Sequence, residues 1–402
     1  MAISFGKQKF QTVEEFPLEG KSVFLRVDLN VPLDGKEITD DTRIRAALPT
    51  LKYLLEKGAK VTMASHLGRP KGKPNEKYSL LPVAEKLAEL LSRDVTLPDD
   101  CIGDGVRRIL SQQKPEQVVL LENLRFHAEE EGNAPKFAKE LRGSFDFYVT
   151  DAFGALHRAH ASTEALPRLF APGERGIGFL VMKELRFLSP LLENPQRPFA
   201  VIMGGAKVSD KVKVVETLIR KVDRIFLGGA MVFTFLKAQG HKVGLSLVEE
   251  GMVDRAKKML EDAKGRGVRV YLPKDFVLGV SVENPGEPKT IDGLEIPDGF
   301  MGLDVGPQTV RLFADALKDT KTVFWNGPLG LFEKPPFDQG TLGIAKALAT
   351  LNMIRVIGGG DSAAAVEAAG VADKMSHIST GGGASLEYLE GQPLPGLVAV
   401  AV

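Results

Sequence analysis

The stretch Phe199–Lys207, FAVIMGGAK, decides the fold: five apolar, β-prone residues run straight into Gly-Gly, and a lysine follows. A run that is apolar at every position, rather than at alternate ones, is a strand buried on both faces of a parallel sheet. The glycines behind it let backbone N–H groups approach a phosphate closely, because no Cβ stands in the way. Three more turns repeat the pattern: RIFLGGA at Arg224–Ala230, RVIGGGDS at Arg355–Ser362 and HISTGGGAS at His377–Ser385. Lys207, with Lys211 one helical turn later, and Asp361 at an expected helix start add the charges that suit a nucleotide and its magnesium.

Similar runs lie on both sides of this stretch. Ser22–Val27, Lys60–Ala64, Gln117–Leu121 and Phe145–Thr150 precede it, while Arg224–Leu227, Arg269–Leu272, Thr322–Trp325 and Arg355–Ile357 follow. Between them come helical patterns: TRIRAALPTLKYLLEKG from Thr42, VAEKLAELL from Val83, KVKVVETLIRKV from Lys211, MVDRAKKMLEDAKG from Met252 and LGIAKALATL from Leu342. Such alternation predicts an α/β protein whose mostly parallel sheets are covered by helices on both faces. Gly58, Gly240 and Gly265 fall just past helical patterns, where left-handed helix ends are expected. Ser281–Gly299, SVENPGEPKTIDGLEIPDG, is rich in turn residues and reads as a surface hairpin or loop.

A chain of 402 residues exceeds one ordinary core, so two domains are expected. Their division falls between Gly178 and Pro198, where FLVMKELRFLSPLL supplies an amphipathic helix and NPQRP supplies two prolines. That sets a first domain over residues 1–181, a connecting helix and hinge over 182–195 and a second domain over 196–389. Lys+Arg 52 balances Asp+Glu 52, which argues against a nucleic-acid coat or an electrostatic membrane binder and requires any basic site to be local. Cys101 is the only cysteine, which excludes an internal disulfide or a thiolate cage and fits a reducing compartment. The N-terminal MAISFGKQKFQTVEEF lacks an apolar core of its own, and no stretch approaches ~18 apolar residues. A cytoplasmic protein without nucleic-acid or membrane partners is therefore expected.

The first half has its own signature at its strand ends. Asp28 and Asn30 in DLNVP follow the first run, with Arg43 just beyond; His66 and Arg69 in SHLGRP follow the second. Arg125 in ENLRF and His157 and Arg158 in DAFGALHRAH follow the third and fourth. Ligands of open α/β sheets bind outside the carboxyl ends of the strands. Guanidinium groups converging there suit a small, multiply anionic substrate. His157 and His160 alone do not make a metal pair, because HRAH brings no carboxylate or cysteine with it.

No Walker A pattern occurs, and GGGDSA at Gly358–Ala363 matches a dinucleotide fingerprint only loosely, with an aspartate where a pyrophosphate would approach. More specific is the ordered set RVDLNVP, DDTRI, SHLGRP, LLENLRF, DAFGALHRAHAS, GGAKVSDK, WNGPLGLFE, GGGDSAAA and STGGGASLE, which spans nearly the whole chain and resembles the phosphoglycerate kinase family. The resemblance implies two Rossmann-like, three-layer αβα lobes joined by a hinge helix, with residues 390–402 returning to the first. It implies that Asp28, Leu29, Asn30, Arg43, His66, Leu67, Gly68, Arg69, Arg125, His157 and Arg158 hold 3-phosphoglycerate or 1,3-bisphosphoglycerate. For ATP or ADP it implies Lys207, Lys211, Gly228, Gly229, Gly302, Asn326, Glu333, Gly359, Gly360, Asp361 and Ser362, with Asp361 as the Mg²⁺ ligand of MgATP or MgADP. One departure is visible: DAFGALH stands where the family pattern reads DAFGTAH, placing Ala155 and Leu156 beside an intact His157 and Arg158 and bearing on local packing.

The implied reaction passes the acyl phosphate of 1,3-bisphosphoglycerate to ADP, reversibly and in line, within a monomer that closes around its substrates. Phosphoryl transfer needs positioning and charge neutralisation more than covalent help. Arg43 and Lys211 are assigned to the transferring group, with Gly381 and Gly382 offering backbone N–H groups. Two rivals remain at this stage, a nicotinamide-dependent dehydrogenase and a two-lobed anion-binding protein. The pairing of Lys207 and Lys211 with Asp361 counts against both.

Overall fold

The structure is a computed structural model and describes residues 3–5 and 8–402. Its contacts divide the chain into two units, Met1–Ser189 with Pro393–Val402, and Pro190–Gln392. In the first unit the apolar runs become parallel strands: β1 (Ser22–Val27), β2 (Lys60–Ala64), β3 (Val95–Thr96), β4 (Val118–Leu120), β5 (Phe147–Asp151) and β6 (Arg175–Ile177). They pair in the order β6-β5-β1-β2-β4-β3. Central β1 is buried at every position after Ser22, which is why its sequence shows no alternation. Leu25 and Val27 belong to a core with Ile44, Leu51 and Leu54 of α1 (Thr42–Glu56).

The second unit repeats the plan. Its strands are β7 (Phe199–Met203), β8 (Arg224–Leu227), β9 (Arg269–Tyr271), β10 (Asp275–Gly279), β11 (Lys289–Asp292), β12 (Met301–Val305), β13 (Thr322–Asn326), β14 (Ile354–Gly358) and β15 (His377–Ile378). Six form a parallel sheet in the order β9-β8-β7-β13-β14-β15 around the fully buried Trp325. Both main sheets are thus parallel and interleaved with helices, an α/β protein of two lobes. Register does the rest: Met203 lies opposite Leu227 and Asn326, so the turns after β7, β8 and β13 leave the sheet at one lip.

Several sequence expectations need correction. Strands β10, β11 and β12 form a separate antiparallel sheet, and Lys289–Asp292 gives the expected surface loop a paired strand. Gly58 and Gly240 are left-handed, at φ +74° and +90°, but the third such helix end is Gly267 at +74°, because the helix Val253–Gly265 absorbs Gly265. The pattern starting at Lys211 yields only α3 (Val212–Leu218), so Lys211 precedes the helix instead of lying one turn inside it. Helix α2 (Phe179–Glu193) contains Pro190, and the two units divide between Ser189 and that proline. Gly396 donates its N–H to the Leu156 carbonyl at 3.0 Å and would meet the Leu156 side chain at 2.6 Å if it carried a Cβ. The Leu156 of DAFGALH is therefore a seat for the C-terminal segment.

Candidate active site

The first unit gathers its polar residues where β1, β2, β4 and β5 end. Asp28 leaves β1 and accepts both its oxygens' bonds, at 2.9 Å each, from Nη1 of Arg43 in the first turn of α1. Asn30 accepts from the Gly68 N–H at 2.8 Å, and Leu29 donates its N–H to Ser65 Oγ at 2.8 Å. Leu67 is held on both sides by Asn123, which accepts its N–H at 3.2 Å and donates to its carbonyl at 2.8 Å. Gly68 needs to be glycine: its φ is +59°, and a Cβ would run into the Tyr78 ring. Arg125 is buried and donates to the Gly68 carbonyl at 2.9 Å, while its Nε lies 3.5 Å from Glu131. Arg158 donates to His157 Nε2 at 3.1 Å, and Arg69 is exposed.

Beneath this rim lies a residue that the strand pattern concealed. Arg26, within β1, is 1% exposed; its Nε donates to Ser162 Oγ at 2.7 Å and its Nη2 lies 3.3 Å from His66 Nδ1. Ser162 in turn donates to buried Glu130 at 2.6 Å from its hydroxyl and at 2.9 Å from its N–H. The signal was there in SVFLRV: a charged residue inside an otherwise buried run requires a buried partner. Arg26, Glu130 and Ser162 thus brace the floor of the site.

Electrostatics follow from that arrangement. Burial, then the charges of Arg26, Arg125 and Arg43, hold His66 well below the usual histidine range. His160 is driven down to about 3 by burial and then Arg125, Arg26 and Arg158. Both imidazoles are neutral at pH 7, because a further cation among several guanidiniums is costly. Within the cluster Asp28 pairs with Arg43, Glu131 lies beside Arg125 and buried Glu130 faces Arg26.

The second unit's rim is built differently. Gly204 and Gly205 donate their N–H groups to the carbonyls of Asn326 and Pro328 at 3.0 and 2.9 Å; Gly228 and Gly229 donate to Met203 and Leu329 at 2.9 Å. These glycines let three strand ends pack backbone to backbone; a Cβ on Gly229 would come within 2.5 Å of the Gly205 nitrogen. Their N–H groups are spent within the protein, contrary to the expectation that they stand open to phosphate. The turn after β14 differs. Gly359, at φ +89°, caps α4 (Gly360–Ala368), whose first N–H groups, at Gly360, Asp361 and Ser362, have no acceptor within the helix. Ser362 Oγ accepts from the Gly327 N–H at 2.6 Å and ties this turn to β13. Gly382 similarly caps α5 (Gly383–Leu389) at φ +53°, whereas the Gly381 N–H is taken by Ser379 Oγ at 3.2 Å.

A cavity of about 290 Å³ lies against these turns, lined by Gly205, Gly229, Phe233, Gly302, Glu333 and Asp361 among others. Gly302 packs directly on the Phe233 ring in its wall, where a Cβ would collide with that ring. Lys207 is exposed, and Lys211 is half-buried with its pKa lowered to about 8 by burial, against the opposing pull of Asp361 and Asp210. Asn326 donates to the Gly358 carbonyl at 2.7 Å, while its Oδ1 is buried without a hydrogen-bond partner. That orphaned oxygen and the exposed Asp361 carboxylate are hard donors, so the residues present fit a magnesium ion that arrives with phosphates.

Comparison with known proteins decides the family. The phosphoglycerate kinase family matches residues 13–392. The chain belongs to that family. It is 55% identical over 398 residues to the cytosolic phosphoglycerate kinase of Triticum aestivum, covering 98% of each chain. It is 54% identical over 399 residues to the chloroplastic phosphoglycerate kinase of Chlamydomonas reinhardtii, covering 98% of this chain and 86% of that one. The phosphoglycerate kinase structure from Coxiella burnetii superposes with a TM-score of 0.89 at 37% identity, covering 97% of this chain and 98% of that one. As a family member the chain is a kinase that transfers phosphate between 1,3-bisphosphoglycerate and ADP.

Proposed function

We propose that the two units divide this reaction, the first holding phosphoglycerate and the second holding the magnesium nucleotide. The observation that carries this reading is the buried cationic cluster of Arg26, Arg125 and two neutral histidines at one set of strand ends. Such a cluster favours a small polyanion over any neutral or cationic ligand. Arg43, His66, Arg69, Arg125, His157 and Arg158 bind the phosphate and carboxylate of phosphoglycerate, with Asp28 and Asn30 positioning Arg43 and Gly68. Lys207 holds nucleotide phosphates, Glu333 accepts from the ribose hydroxyls and the apolar wall with Phe233 and Gly302 takes the base.

For transfer, Arg43 leaves Asp28 and joins Lys211 on the moving phosphoryl group, neutralising its equatorial oxygens. The first N–H groups of α4 and the backbone at Gly382 supply positive dipole ends to help neutralise that charge. Asp361 and Asn326 would hold Mg²⁺, which supplies charge neutralisation to the nucleotide phosphates when bound. The leaving carboxylate is a weak base, so no general acid is required and His66 acts as a neutral donor. Reacting atoms must come within ~3–3.5 Å while water is kept from the acyl phosphate, so the two units close on each other by bending in the 182–195 connector. A monomer working in the cytoplasm suits these features; no helix among the described residues is long and apolar enough to cross a membrane.

A coupled assay of ATP formation from 1,3-bisphosphoglycerate and ADP tests the activity directly. Small-angle scattering tests the closure: the radius of gyration falls when both substrates are present and less with either alone, whereas one value in all states contradicts it.

A further inference from the structure

Among the described residues, three metal-ligating side chains of different chemical kinds meet at one place outside the rims described above: Asp100, Cys101 and His127. A carboxylate oxygen, the thiol sulfur and an imidazole nitrogen there all lie within 4.8 Å of one another. His127 Nε2 is 2.6 Å from Asp100 Oδ1, the oxygen that also accepts the Cys101 N–H at 2.6 Å. The sequence keeps these donors 26 residues apart, on a loop and on the segment after β4, so no motif announces them.

We propose that Asp100, Cys101 and His127 form a binding site for a zinc-class divalent cation. Zinc takes sulfur at about 2.3 Å and nitrogen or oxygen at about 2.0–2.2 Å in a tetrahedron, which places its ligand atoms roughly 3.5 Å apart. A set of donors already within 4.8 Å brackets that spacing. The His127–Asp100 pair opens by roughly 1 Å to admit the ion. Both side chains can move, being 24% and 48% exposed, while Cys101 at 2% is fixed in the protein. Phe137, buried beside the imidazole with its ring centre 5.2 Å away, limits the ring to its present face.

The donor set also chooses the metal. Thiolate and imidazole favour zinc over the hard, all-oxygen magnesium that accompanies the nucleotide. Coordination removes the thiol proton, since a bound thiol is deprotonated outright. Three protein ligands leave a fourth position on the exposed side for water. His127 closes the short helical turn Leu124–Phe126, so an ion held there pins the segment that carries Arg125.

The test is calorimetric titration of the full chain with zinc chloride in millimolar magnesium, which keeps the nucleotide side supplied with its own metal. One equivalent is expected to bind, with affinity reduced at least about tenfold in Cys101→Ser and in His127→Gln. Cadmium gives a second reading, a sulfur-to-metal charge-transfer absorbance present in the parent and in His127→Gln but absent from Cys101→Ser. Thermal unfolding without metal shows that each variant is folded. Zinc binding unchanged by both substitutions, or no binding to the parent chain, overturns the proposal.

Discussion

At the strand ends of the first unit, charged side chains are buried and braced by one another; at those of the second, two lysines and a carboxylate stand over glycine backbone. Arg26 is buried against Ser162 and Glu130, and Arg125 against Gly68, before any ligand arrives. Lys207 and Asp361, by contrast, are exposed, and the glycines of the turns after β7 and β8 are occupied in holding loop to loop. The difference teaches that a cationic rim made of side chains is part of its unit's core, whereas one made on glycine turns can lose a side chain without losing the fold. Substitutions on the first rim should therefore cost stability as well as binding, and those on the second binding or rate alone.

The largest effect is expected at Glu130. Replacing it by alanine leaves Arg26 as a buried charge without its counter-ion, at a cost of about 3–5 kcal/mol. Denaturant unfolding measures it, and a loss near zero would show that the buried network does not support the rim.

Next comes Arg43→Ala. It removes a group assigned to the transition state, so kcat should fall by on the order of 10² or more with little change in the nucleotide KM. Near-normal turnover would return Arg43 to a purely local role as the partner of Asp28.

The two lysines sharpen the contrast within the second rim. Lys211→Ala should lower kcat by roughly 10- to 100-fold, whereas Lys207→Ala should weaken nucleotide binding by about tenfold and spare kcat. Neither should shift the unfolding midpoint. If Lys211→Ala weakened nucleotide binding and left turnover intact, the roles would be exchanged.

Smallest is Asp361→Asn, which removes one negative oxygen from a hard-cation site and should raise the magnesium needed for half-maximal activity by several-fold to about tenfold. An unchanged magnesium dependence would make Asp361 only the acidic residue of a helix's first turn.

The sheets were legible because each buried strand advertises itself as an unbroken apolar run. β1, β2, β7 and β8 match the sequence reading residue for residue. Strands β10 and β12, DFVLG and MGLDV, were not, since aspartate and glycine, at the ends of the first and inside the second, break the run that marks a strand. Buried Asp275 and Asp304 there are satisfied by backbone N–H groups of distant residues, Thr309 and Gly340, which no local pattern records. At the rims, residue types and spacing located Arg43, Arg125, Lys207 and Asp361, because charge at a strand end is a local signal. Where the sequence misled was in the use of glycine: Gly-Gly after a strand fits a phosphate cradle and a backbone-to-backbone contact equally well. Only the partners of Gly204, Gly205, Gly228 and Gly229 tell the two apart.

A crossed titration tests the division of labour between the units most directly. Arg69→Ala, exposed on the first rim, and Lys207→Ala, exposed on the second, would each be titrated with 3-phosphoglycerate and with MgADP. Each variant is expected to lose at least about tenfold, roughly 1.4 kcal/mol, for its own unit's ligand and to bind the other normally. Either substitution weakening both ligands alike, or each weakening the other unit's ligand, would contradict two separate rims that meet only for transfer.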